Sequence, residues 1–205
     1  MAGLTDMLEQ MLASRSDQIG ARIGADPAQT NAAVTAALPA LIAALSQESS
    51  DPGLRQALER DHDGAVIDNL DGYVDGTANL SPRATDGAGI LEHTLGDRQQ
   101  GVAQALSAKT GLDLGTIMQL LPLLAPIVMG MLGKQTRSGS GGFGLDDLGS
   151  ILGGETAAAQ SRNPDIGDIL GSVLGGSRSG GQGSPGSGGG LDDLLGSLTG
   201  RKPGS

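Results

Sequence analysis

Asp61-His62-Asp63-Gly64 and His93 are the residues of this 205-residue chain best suited to chemistry. An imidazole between two carboxylates, with a second imidazole elsewhere, offers acceptable ligand types for a divalent cation. The segment also begins like a calcium loop, which requires an acceptor at position five, Gly at six and Glu at twelve. Ala65, Val66 and Gly72 stand at those positions, so the EF-hand pattern fails. A looser metal site of Asp61, His62, Asp63 and His93 lacks a third ligand that spacing alone places. Against it stands a structural reading, in which Asp63 caps a helix and His62 orients a loop. His93 is flanked by core-like residues in Gly89–Gly96 and reads as a hydrogen-bonded packing residue. Other motifs fail outright. No Ser sits in G-x-S-x-G, and Gly133-Lys134 is followed by Gln135, with Val128 where a phosphate loop needs Gly. Neither a catalytic residue nor a cofactor is predicted.

Composition narrows the field further. The chain has no Cys, which excludes disulfides and thiolate zinc sites, and a net charge of −10, which repels phosphate backbones. One Phe, one Tyr and no Trp leave little for base stacking. Glycine is uneven: 15 of the 36 lie in residues 1–135 and 21 in residues 136–205. The last third therefore has the composition of a disordered Gly/Ser-rich linker, and the expected folded domain is 1–135. Asp6 and Glu9 break the basic-then-apolar order of a signal peptide, and Gly3 is one place late for myristoylation, so a cytoplasmic location is expected.

The elements that must position these residues read as all-α. Leu4, Met7, Leu8, Met11 and Leu12 form one apolar helical stripe. Ile19 and Ile23 suggest a short second helix, and Asp26-Pro27 is a strong start for a third. Pro39 is expected to kink or split that helix. A shift of 83 residues aligns 7–45 with 90–128 without a gap: Leu8, Glu9, Leu12, Arg15, Leu38, Pro39 and Leu41 fall on Leu91, Glu92, Leu95, Arg98, Leu121, Pro122 and Leu124. Two similar helical halves, about 1–48 and 86–135, are therefore expected from an internal duplication. Between them the acidic segment 49–85 predicts short helices at Gly53–Arg60 and Ala65–Leu70, with loop elsewhere.

Two segments bear on partners. Residues 114–133 are uncharged for twenty positions, long enough to span a bilayer, but Pro122, Pro126 and Gln119 favour a core helix broken at the prolines. The tail carries one apolar motif three times, led by acidic residues. Its copies are marked by Leu145, Leu148 and Leu152, by Ile166, Ile169 and Leu170, and by Leu191, Leu194 and Leu195. Such segments are too short to be helical alone, yet suited to fold into a groove on a partner or on this chain's own helices.

The runs Gly89–Asp113 (G-I-L-E-H-T-L-G-D-R-Q-Q-G-V-A-Q-A-L-S-A-K-T-G-L-D) and Leu120–Gln135 (L-L-P-L-L-A-P-I-V-M-G-M-L-G-K-Q), with D-H-D-G-A-V-I-D-N-L at 61–70, resemble the bacterial domain-of-unknown-function family nine-three-seven, the YidB-like proteins. The resemblance covers most of 1–135. It implies a bacterial origin and a small helical domain, often followed by a Gly-rich D-D-L-G tail, and carries over no catalytic residue.

The leading expectation is a non-enzymatic, cytoplasmic interaction or assembly module. It would meet a protein partner or another copy of itself through apolar helices and tail motifs, without binding nucleic acid. The alternatives are a membrane-associated helical protein using 114–133 and a metal-dependent enzyme at Asp61, His62, Asp63 and His93.

Overall fold

A computed structural model describes residues 3–138, 148–162 and 167–174. The described residues are helical or irregular, with no strand among them. The apolar stripe from Leu4 forms α1 (Leu4–Ala13), followed by α2 (Ser16–Ile23) and α3 (Pro27–Gln47). Asp26 caps α3 by accepting from the Ala28 N–H at 2.8 Å, and Pro27 takes the first turn, where a missing N–H costs nothing. The acidic segment forms α4 (Pro52–Arg60), α5 (Ala65–Asp68) and α6 (Leu70–Asp75). Then come α7 (Gly87–Thr94), a 3-10 turn at Gly96–Arg98, α8 (Gln99–Thr110) and α9 (Leu114–Ser138).

α3 and α9 pack together at the centre. α1 and α2 lie on α3, and α7 and α8 on α9, while α4 and α5 cover another face of α9. Most of α3 from Ala36 to Leu45 and α9 from Leu123 to Leu132 is buried. Both helices are long and apolar enough to cross a membrane, and 72% of the most apolar stretch of each is buried inside the bundle. α6 reaches the centre through Tyr73, whose hydroxyl donates to the Leu123 carbonyl at 3.1 Å. Burial pushes that phenol up to about 12. Arg22 of α2 closes the end of α6 by donating to the Tyr73 and Val74 carbonyls at 2.8 and 2.6 Å.

Three expectations are corrected. α9 is continuous through Pro122 and Pro126 and not broken at them, and α3 runs through Pro39 without a split. Close burial on several sides outweighs the lost ladder bonds, and one carbonyl left without its ladder donor lies at a helix crossing. Pro126 has no N–H for the carbonyl of Pro122 four residues earlier, and α7 approaches that carbonyl so closely at Gly87 that no Cβ fits between them. Secondly, α6 occupies part of what was expected to be loop. Leu70, Tyr73 and Val74 supply its buried face.

The third correction concerns the tail. Within the segment from residue 136 onwards that is expected to be disordered, α10 (Leu148–Arg162) and α11 (Gly167–Leu174) are helices packed on the domain, and the correction extends to these two stretches alone. α10 lies along α3 and touches α1, while α11 bridges α3 and α8. The physical reason is apolar burial that average composition conceals. Leu148, Leu152 and Ala159 are inward on α10, as are Ile169, Leu170 and Val173 on α11, while Gly153 and Gly154 face open space and Gly149 is exposed beside Ser49.

Candidate functional site

The docked tail segment is held by apolar burial and by polar contacts at both ends. Leu148 and Leu152, from the first copy of the tail motif, have no exposed surface, and Ile169 and Leu170, from the second, are 2% and 1% exposed. At one end the Glu155 carboxylate of α10 accepts from the N–H groups of Leu4 and Thr5 at 2.8 and 3.0 Å and from the Thr5 hydroxyl at 2.7 Å. Those N–H groups belong to the first turn of α1, where no intrahelical acceptor exists and the helix dipole favours an anion. At the other end the Val173 carbonyl, in the last turn of α11, accepts from Arg98 at 2.6 Å and from the Gln47 amide at 2.7 Å. Arg98 also donates to Gln47 Oε1 at 2.7 Å. The tail thus caps the domain, and the domain caps the tail. Of the other residues marking the motifs, Leu145, Ile166, Leu191, Leu194 and Leu195 lie outside the described residues.

A second feature gathers the histidines. His62, after α4, and His93, in the last turn of α7, line one pocket of about 340 Å³ together with Gly53, Leu54, Asp61, Arg83, Asp86 and Met129. Of the sequence-predicted ligands, Asp61, His62 and His93 therefore share a cavity. Asp63 does not belong to it: its carboxylate accepts from the Ala65 N–H at 3.0 Å, just before α5, whose N-cap is Gly64. His93 is exposed and lies 3.6 Å from Asp51, a partner 42 positions away that no local motif signals.

His62 is 4% exposed, and its Nδ1 has no hydrogen-bond partner. Burial pushes its pKa below the ordinary value of 6.5, against the pull of Asp61 and Asp63. The unfolded chain therefore takes up a proton at this position at a higher pH than the folded one. Its contribution to stability is full above pH 6.5 and is lost as pH falls from 6.5 through the lower folded value. Denaturant unfolding between pH 7.5 and 5, at about half-unit steps, should show that loss in the native chain and a smaller one in His62→Gln. Equal slopes would remove the histidine as its source.

Comparison with known proteins gives one family. The model of the family described as "Bacterial protein of unknown function (DUF937)" matches residues 6–135, well over half of the chain. No curated protein and no solved structure matches it.

Proposed function

The chain belongs to the bacterial DUF937 family, and on that premise we propose that it is a non-enzymatic, cytoplasmic assembly module that recognises its own tail motif. The observation that carries this reading is the docking of residues from two motif copies on α3, with Leu148, Leu152, Ile169, Leu170 and Val173 removed from water, Glu155 capping α1, and Arg98 and Gln47 capping the end of α11. The motif is the ligand, and the face made by α3, α1 and α8 is its receptor. The third copy, Leu191–Gly200, repeats the L-D-D-L lead of the first and its G-S pair one residue later, and lies outside the described residues. With the chain's own face covered, its receptor is the same face on a second copy of the chain, reached when the docked copies exchange. Tethered repeats raise the local concentration of such a weak ligand.

The same proposal includes an origin for the fold. α7 and α8 start 83 residues after α1 and α2. The aligned pairs Leu8/Leu91, Leu12/Leu95, Ile19/Val102, Val34/Ile117, Leu38/Leu121 and Leu41/Leu124 are buried on both sides. Arg15 donates to the Met11 carbonyl and Arg98 to the Thr94 carbonyl, closing the preceding helix in each half four residues back. Periodicity alone does not require matching arginine caps, so these support a duplicated helical unit. Burial of Leu120, Leu121 and Leu124 supports the core reading of 114–133 over a membrane span.

Light scattering over a range of concentrations tests the assembly reading. The full chain should gain mass with concentration, and truncation after residue 174 should abolish the gain without changing the helical signal by circular dichroism. Truncation after residue 138 uncovers the α3 face and should bring association back in a non-specific form. Identical masses for the full chain and the 1–174 chain at every concentration would refute the proposal.

A further inference from the structure

Beside the histidine pocket, three chain segments bring together donors of a kind that sequence spacing does not show. Glu48 follows α3, Asp51 caps α4, and His93 lies in the last turn of α7. One ligand atom from each lies within 4.8 Å of the others. Asp51 divides its oxygens: Oδ1 accepts from the Gly53 N–H at 2.5 Å, while Oδ2 faces His93 Nε2 at 3.6 Å. A tetrahedral ion with bonds of roughly 2.0–2.2 Å holds neighbouring donors about 3.4 Å apart. The His93–Asp51 separation is close to that edge, and the Glu48 side chain is long enough to close the remainder by a rotamer change.

An independent observation points to a ligand at the same place. His93 is part of the pocket wall, and the same wall includes His62, which is almost wholly buried with an unpartnered Nδ1. A buried nitrogen without a partner costs about 1–3 kcal/mol unless something supplies the hydrogen bond. Water or a small anion completing the coordination of an ion at His93 would occupy this pocket and meet that need.

We propose that Glu48, Asp51 and His93 bind a divalent cation of the zinc class at the edge of the pocket that His93 shares with His62. One imidazole with two carboxylates suits zinc, cobalt or manganese better than calcium or magnesium, which take oxygen ligands throughout. Gln47 and Ser49, on either side of Glu48, meet α11 and α10, so the two proposals are separated by their readouts: metal binding tests this site, and mass against concentration tests assembly.

The test uses the full chain, stripped with a chelator and titrated with Zn²⁺ by calorimetry and with Co²⁺ by visible absorption. One equivalent should bind, and Co²⁺ should give the intense absorption of a four-coordinate site. His93→Gln is a mild variant, because His93 is exposed and Gln10 stands at the aligned position of the first half. Asp51→Asn keeps an oxygen for the α4 cap while removing the ligand charge. Since even outer-shell partners of a metal site carry about 10–100-fold in affinity, each variant should weaken binding by at least about tenfold. Both should keep the native helical signal. No binding by the native chain, or equal binding by native chain and His93→Gln, would overturn the proposal.

Discussion

Gly87→Ala should lower the melting temperature by roughly 6–12 °C, on the scale of about 2–4 °C per kcal/mol for a chain of this size. The cause is contact between two backbones, which cannot be relieved by a rotamer. A Cβ on Gly87 falls 2.6 Å from the Pro122 carbonyl carbon and 2.9 Å from its Cα, and closer still to the oxygen. α7 would have to move off α9. Overpacking costs about 1–3 kcal/mol where side chains yield, and at least the upper end is expected where only helices can move. Gly133→Ala meets the same obstacle at the His62 carbonyl, whose carbon lies 2.9 Å from the added atom. Gly101→Ala provides the contrast: it is helical, exposed and open, so alanine there should stabilise by about 0.5–1 kcal/mol. Thermal unfolding of the three variants checks the argument. A Gly87→Ala protein melting within a degree or two of the native one would mean that α7 and α9 do not approach this closely.

That contrast shows what the sequence could and could not convey. The apolar spacing of α1, the Asp26-Pro27 start of α3 and the matching run into α9 are local signals, and the helices lie where those signals put them. Glycine count is not local. Gly87 and Gly101 are equivalent as composition, yet one is a helix crossing point and the other a solvent-facing position. The same blindness hid α10, whose three exposed glycines each disfavour a helix by about 1 kcal/mol relative to alanine. Its stability comes from leucines docked on α3, a tertiary effect that no window of α10 alone contains. The histidines follow the same rule. Their residue types invited a metal reading, but Asp63 is engaged with the Ala65 N–H, and the carboxylates gathered with His93 come from the end of α3 and the start of α4. Chemistry was legible as inventory, and its partners were set by packing.

Leu152→Asp combined with Leu170→Asp should release α10 and α11 together while leaving α1 to α9 folded. Each substitution puts a carboxylate where the native side chain has almost no exposure, and neither site offers it a partner among the contacts described above. The cost of an unpaired buried charge is several kcal/mol, more than the segment loses by leaving the domain. Undocking therefore sets a ceiling on the damage. Leu152→Ala alone has a nominal cost of about 2–5 kcal/mol as a core truncation, but further substitutions in the same segment should add little once it has left. Glu155→Gln weakens the same attachment more gently. It keeps one carbonyl oxygen where the carboxylate used two, so one of the two α1 N–H groups loses its acceptor, and the remaining bond falls from the charged range of about 1.5–3 kcal/mol to about 1. Hydrogen exchange distinguishes release from unfolding. Amides of 148–174 should exchange freely in the double variant, those of α3 and α9 should stay protected, and the uncovered α3 face should make the protein associate at high concentration. Protection of 148–174 equal to the native chain's would show that the segment is not held by these leucines. Loss of protection in α9 as well would make the tail an integral part of one cooperative unit, leaving no docked ligand to exchange between copies.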